Sequence, residues 1–276
     1  MTGYFKDRFA GKNMLVTGAT SGIGRAVALR AGAEGALVIV VGRNQERGQA
    51  VVDQIQAQGG KALFLAADLT DETSVQHLFE QIDQQVGELH IAINNAGVVG
   101  KGERIDQIST EEWNRLINTN LNVMFYCARE ESKRMIAQGK GGSIVNMGSV
   151  TGLTGFYRSS AYVTSKHAVT GLTRAMASDL APFGIRVNSI NPANTATPLT
   201  QATGEAVKAK LQAAMAAGKS LEEAKAETMI GGKTEALLKR TAGPEEQAAA
   251  ILFMASEDAG YITGVPMPVD GGWTAY

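Results

Sequence analysis

The chain has 276 residues, a formal net charge of −1 and 44% hydrophobic residues, a balance that argues against nucleic acid or an anionic membrane surface as its main partner. Its single cysteine, Cys127, excludes an intrachain disulfide and sits in an apolar run as core filling, so a reducing, cytoplasmic setting is expected. No apolar run reaches the roughly 18 residues that span a bilayer, and the first 12 residues lack the apolar stretch of a secretory leader.

In chain order, residues 14–16 read as a strand ending in Thr17-Gly18, and 23–34 as a helix. The all-apolar run 37–41 reads as a strand covered on both faces. A helical spacing over 45–58, a strand at 62–66 and a helix at 71–86 with Val75, Leu78, Phe79 and Ile82 on its inner stripe follow. Residues 89–93 are a strand, and Ser109 opens one long helix to about residue 137. Then come a strand at 143–147, a helix at 162–181, a strand at 185–190 and a helix from Pro244 to about Ser256. Residues 265–269 form the last strand, which Pro266 and Pro268 push to an edge or to irregular pairing.

Strands alternating with helices imply right-handed crossovers, hence a doubly wound α/β fold with a mostly parallel sheet. No linker or repeat divides residues 1–276, so one domain is expected. Residues 201–240 are rich in Ala, Lys and Glu, punctuated by Gly204, Gly218, Gly231 and Gly232. They read as a helical insertion before the last helix, and 194–240 as a lid on the substrate side.

Thr17 to Gly24 joins the first strand to the first helix. Gly18 permits a tight turn, Gly22 close approach of a pyrophosphate, and Gly24 close packing of the helix. The helix N-terminus offers its free N–H groups to phosphate. An acid after the second strand would bind the ribose of NAD; this chain has Arg43 there, suited to a 2′-phosphate, so NADP(H) is favoured and NAD(H) stays open. Asp68 suits an adenine edge. Asn94-Asn95-Ala96-Gly97 ends the fourth strand with small residues that let backbone approach a ribose.

Tyr162 and Lys166 are four apart and share a helix face. An ammonium beside a phenol favours the phenolate, and a phenol tuned down from about 10 can exchange protons with an alcohol or carbonyl. Ser149 could hold the same oxygen. Spacing alone leaves open an idle exposed pair.

These motifs together resemble the short-chain dehydrogenase/reductase family, in its single-domain Rossmann form: TGATSGIG at 17–24, NNAG at 94–97, Asn120, Ser149, YVTSK at 162–166 and VDGG at 269–272. The resemblance implies hydride transfer between NADP(H) or NAD(H) and a carbonyl or alcohol, without a metal. It implies that Tyr162 is the acid/base, that Lys166 lowers its pKa and binds ribose hydroxyls, and that Ser149 orients the substrate oxygen. Asn120 would hold a water linking Lys166 to solvent. Cofactor contacts are implied for Gly18, Thr20, Ser21, Gly22, Ile23 and Gly24. Further contacts are implied for Arg43, Asp68, Leu69, Asn95, Ala96 and Gly97. Pro192, Thr195 and Thr197 complete that set, with Thr195 and Thr197 on the carboxamide. The family usually has Pro-Gly after the sixth strand; here Ala193 follows Pro192 and disfavours positive φ.

Segments 98–104, 150–158 and 194–239 should converge on the substrate. Val98, Val99, Leu153, Phe156 and Tyr157 offer apolar surface; Lys101, Arg104 and Arg158 could meet an anionic group. Sugars, polyols, hydroxy acids, acyl thioesters and steroids all remain open. The resemblance also implies a homo-oligomer, tetramer or dimer, paired through helices 111–137 and 162–181. Trp273 to Tyr276 could reach a neighbour or fold back.

Overall fold

The computed structural model describes residues 5–228 and 236–275. Gly231, Gly232 and Tyr276, and the part of the expected lid over 229–235, lie outside the described residues.

Seven strands form one sheet in the order β3-β2-β1-β4-β5-β6-β7, every neighbouring pair parallel. They are β1 (Asn13–Thr17), β2 (Leu37–Gly42), β3 (Lys61–Ala66), β4 (Ile91–Asn94), β5 (Gly142–Met147), β6 (Ile185–Pro192) and β7 (Pro266–Val269). Each central strand sends alternate residues to opposite faces, as the two-residue period demands. Met14, Val16, Val38, Val40 and Ile93 pack with α1 (Gly22–Ala33), α2 (Gln45–Ala57) and α9 (Pro244–Ala255). Leu15, Ile39, Ala92, Ile144 and Val187 pack with α3 (Glu72–Gln85), α5 (Val123–Gln138) and α6 (Ser160–Leu180). Both faces are covered, which is why the strands read as apolar runs without alternation.

Strand order reverses between β1 and β4, so the carboxyl ends of those two strands open the crevice where ligands of such sheets bind. The last strand is the sheet edge, as Pro266 and Pro268 required. Cys127 is buried among the core residues of its face.

The long helix expected from Ser109 to residue 137 is present with one irregularity: α4 (Thr110–Ile117) passes through a π-helical turn, Asn118–Asn122, into α5. A π turn holds an extra residue and frees part of the hydrogen-bond ladder. Here it carries Asn120, which is buried and bonded away from its own helix. The insertion contains α7 (Pro198–Ala216) and α8 (Leu221–Thr228). Among the described residues no helix is long and apolar enough to cross a membrane.

Candidate active site

The glycine loop is held from across the switch point. Thr17 Oγ1 accepts from the Asn95 and Ala96 amides at 3.0 and 3.1 Å and donates to Ile93 O at 3.4 Å. Asn95 Nδ2 donates back to Thr17 O and Gly18 O at 3.0 and 3.2 Å. The Asn95 amide nitrogen therefore fixes the loop, and Thr17, which the sequence reading passed over as a strand end, is its anchor. Gly18 and Gly22 have φ of +62° and +54°, which disfavour any side chain. A Cβ on Gly24 would stand 2.5 Å from Gly18 O and also strike the Asn95 amide. Gly24 thus serves closeness to the loop itself. A Cβ on Gly22 would meet Thr197 at 3.3 Å, so the segment after β6 reaches the loop.

Beyond β2, Arg43 is exposed, while Asn44 caps α2 through the Arg47 amide. Asp68 accepts from the Thr70 amide and hydroxyl at 3.1 and 2.7 Å, and these bonds, aided by the field of Arg43, hold its carboxyl below the usual range. Asp71 caps α3. Leu69 is buried beside Asp68, and Thr20 lies against Gly42, where a Cβ would stand 2.6 Å from the threonine methyl.

Asn120 pairs with the backbone of Val98: Oδ1 accepts from Val98 N at 2.8 Å and Nδ2 donates to Val98 O at 3.0 Å. Nδ2 also donates to Ser165 Oγ at 3.2 Å. The Asn120 side-chain amide thus pins the segment after β4. Gly97 lies against it, a Cβ there falling 3.2 Å from Asn120 Oδ1 and 3.8 Å from Lys166 Nζ.

Ser149 follows β5 and begins a 3₁₀ turn, Val150–Gly152. The Thr151 amide donates to its Oγ at 3.2 Å, which leaves the hydroxyl hydrogen to point elsewhere. Ser149 N donates to Asn191 Oδ1 at 3.1 Å, and Gly148 has no room for a Cβ beside that oxygen. Asn191 on β6 is fully buried and supports the serine from the next strand, a role nothing in the local sequence announces. Ser149 acts on the half-buried Tyr162 phenol and favours its ionised form.

Lys166 is 4% exposed, donates from Nζ to Met147 O at 2.8 Å and lies 5.8 Å from the Tyr162 ring centroid. Burial lowers the lysine to about 8 and raises the phenol, against which Ser149 works. Burial acts against both charged forms, the ammonium and the phenolate.

After β6, Pro192 pairs with Val269 and Ala193 is not in the left-handed region. Thr195 is buried with its hydroxyl donated to Ala193 O at 3.2 Å. Thr197 caps α7 by accepting from the Thr200 amide, so its hydroxyl is partly committed.

Three cations of the substrate side, Lys101, Arg104 and Arg158, are turned to protein groups. Lys101 lies 3.7 Å from Glu112. Arg104 forms a fork on Asp106, both bonds 2.7 Å. Arg158, at φ +55°, donates from Nε to Gly102 O at 3.0 Å and from Nη2 to Gln107 Oε1 at 3.1 Å. It ties the segment after β4 to the one before α6, which also meet in a Glu103–Ser159 bridge. The insertion touches both: Lys210 Nζ donates to Lys101 O at 2.8 Å and Tyr157 Oη to Ala226 O at 3.4 Å. Val98, Val99, Leu153 and Phe156 remain half-buried apolar surface, with the Phe156 ring 5.9 Å from that of Trp273 in the C-terminal segment and tilted 46° to it. A cavity of about 320 Å³ between Asn194, Leu238, Gln247 and Trp273 is lined by none of Ser149, Tyr162 and Lys166 and lies beside the site.

The family described as "short chain dehydrogenase" matches residues 12–208, and the one described as "Enoyl-(Acyl carrier protein) reductase" matches 224–274. Among curated proteins, a 3beta-hydroxysteroid dehydrogenase of Mediterraneibacter gnavus is 49% identical over 274 residues, covering 99% of each chain. A cyclohexanol dehydrogenase of Acinetobacter sp. (strain SE19) is 38% identical, over 98% of this chain and 97% of that one. A crystal structure of a short-chain type dehydrogenase/reductase from Mycobacterium marinum superposes with a TM-score of 0.84 at 33% identity, covering 99% of this chain and 98% of that one.

Proposed function

This chain belongs to the short-chain dehydrogenase family, oxidoreductases acting on CH–OH groups, and we propose that it oxidises the ring hydroxyl of neutral alicyclic alcohols, 3β-hydroxysteroids among them, with NADP⁺ in preference to NAD⁺. The observation that carries the chemistry is Lys166 one helical turn beyond Tyr162, its Nζ 5.8 Å from the phenol ring, with Ser149 acting on that phenol from the end of β5. The substrate class is supported by Lys101, Arg104 and Arg158, which are turned to protein groups. It is also supported by the names of the relatives.

A dinucleotide suits this crevice: Gly18, Gly22 and Gly97 let the segments around it pack closely on one another, and α1 begins there and would offer its N-terminal N–H groups to a pyrophosphate. Arg43 would meet a 2′-phosphate, Asp68 the adenine edge, and Lys166 the ribose hydroxyls. The bound nicotinamide supplies the acceptor for the hydride leaving the carbinol carbon. Tyr162 takes the hydroxyl proton as the C–H and O–H bonds break and the C=O bond forms. Ser149, its lone pair loaded by the Thr151 amide, donates to the substrate oxygen. Asn120 holds the Val98 wall, and α7–α8 serve as the substrate-side lid over one catalytic domain.

The test is a panel of cyclohexanol, cyclopentanol, a 3β-hydroxysteroid, a linear polyol and a hydroxy acid, with both cofactors. The ring alcohols should dominate. Tyr162→Phe should lower kcat by about 10²–10⁴ with unchanged melting; wild-type turnover by that variant, or preference for the hydroxy acid, sinks the reading. Homo-oligomerisation through α5 and α6 belongs to the same proposal and is checked by solution mass.

A further inference from the structure

Beneath the site lies a row of buried polar groups that proton transfer does not use. Glu131 of α5 is 0% exposed, and its Oε2 accepts from Asn94 Nδ2 at 2.9 Å. The same amide donates to Asn146 Oδ1 at 3.2 Å, and Asn146 Nδ2 donates to Thr173 Oγ1 at 3.1 Å. The row therefore runs α5–β4–β5–α6, and none of its four residues exceeds 2% exposure. Glu131 Oε1 and Asn94 Oδ1 have no hydrogen-bond partner among the described residues.

A carboxylate here would place a full charge in the core opposite one neutral amide, which does not offset its desolvation. A carboxylic acid suits the place. Turning both amides, an assignment that heavy-atom positions do not fix, lets the acid O–H donate to Asn94, Asn146 donate to Asn94, and Thr173 donate to Asn146. What the row joins gives it a purpose. Asn94 precedes Asn95-Ala96-Gly97, Asn146 precedes Ser149 by three residues, and Thr173 shares α6 with Tyr162 and Lys166.

We propose that Glu131 is kept as the neutral acid and is a positioning residue, fixing the ends of β4 and β5 against the helix that carries Tyr162 and Lys166. The inference does not depend on which alcohol is the substrate.

Burial pushes the Glu131 carboxyl up to about 8. The titratable group beside it on α5 is the Cys127 thiol, itself raised by burial and by Glu131. The charges of α3 and the outer side of α5 pair with one another, Glu72 with Arg129 and Asp83 and Glu130 with Arg134. β4, β5 and α6 face it with Asn94, Asn146 and Thr173, none of which titrates. Lys166 is about 10 Å further along α6, at 1.5 Å per residue.

The carboxyl ionises near 4.5 when unfolded and near 8 when folded, so rising pH draws the proton off the unfolded chain first. The stability contributed by the neutral acid is complete below about 4.5, falls as pH rises towards 8 and is level above. Glu131→Gln cannot ionise and escapes that fall. Its melting temperature relative to wild type should rise by at least about 3 °C between pH 5 and pH 8. At pH 7 the wild-type protein should show the infrared carbonyl band of a protonated carboxyl, and Glu131→Gln should lack it. In oxidation of cyclohexanol, Glu131→Gln should keep kcat within about twofold, whereas Glu131→Ala should lose about tenfold in kcat with the cofactor KM unchanged. An equal melting gap at both pH values together with no band overturns the neutral acid. A folded Glu131→Ala with wild-type kcat, or a Glu131→Gln as slow as Glu131→Ala, overturns the positioning role.

Discussion

Around the glycine loop the crevice is closed by backbone and short side chains, whereas its substrate side is closed by long ones. On the first side Thr17 and Asn95 bond to main-chain atoms at 3.0–3.2 Å, and Gly18 and Gly24 stand where a Cβ would strike the opposite strand's loop or the chain itself. On the second, Arg158, Lys210 and Tyr157 reach across to carbonyls from half-buried or exposed positions. Short groups have few rotamers to lose and hold one geometry. Long ones give up more side-chain entropy and are replaced at small cost. The contrast teaches that the cofactor side is specified by what cannot be added, and the substrate side by contacts that can be exchanged.

Four substitutions break or sharpen that contrast, in falling order of effect. Gly24→Ala should be severe. Overpacking against Gly18 O and the Asn95 amide costs about 1–3 kcal/mol and weakens cofactor binding roughly 10- to 100-fold. Unchanged cofactor affinity by calorimetry would erase the contrast. Arg43→Asp should next reverse cofactor preference, lowering kcat/KM for NADP⁺ by about tenfold or more, since a charge-assisted bond is worth about 1.5–3 kcal/mol. Should the unmodified protein use NAD⁺ equally well, Arg43 has been misread. Arg158→Ala should raise the KM for the alcohol about three- to tenfold and leave the cofactor Kd unchanged, the loss of one to two hydrogen bonds of about 1 kcal/mol each. A parallel loss in cofactor affinity would show the two sides to be one unit. Lys210→Ala should be mildest, at most about threefold in KM, because an exposed bond to a carbonyl is worth about 0.5 kcal/mol.

The same contrast explains what the amino-acid sequence disclosed. Strand positions and the glycine loop rest on local patterns, apolar runs bounded by turns, and these appear in the fold where periodicity put them. The π turn in the long helix does not. Leu116, Val123 and Cys127 keep a helical apolar rhythm through residues 118–122, while Val98, the partner of the Asn120 amide in that turn, lies 22 residues away. Asn191 under Ser149 and the left-handed Arg158 are equally non-local. Glu131, in a helix rich in charges, carries no mark that distinguishes a buried acid from a solvated one. The Tyr162–Lys166 spacing was legible, but the burial of the lysine and the Met147 carbonyl that holds its ammonium were not.

The π turn at Asn118–Asn122 has one more consequence. With one residue more than an α turn, it sets the helix before it about 100° out of phase with the helix after it. Whether Asn120 faces Val98 is thus a matter of counting, not of chemical kind. Deleting a single residue from this turn would restore an unbroken helix and swing that amide away, with every other side chain of the site still present. Length, in this stretch, is as heritable a determinant of activity as identity.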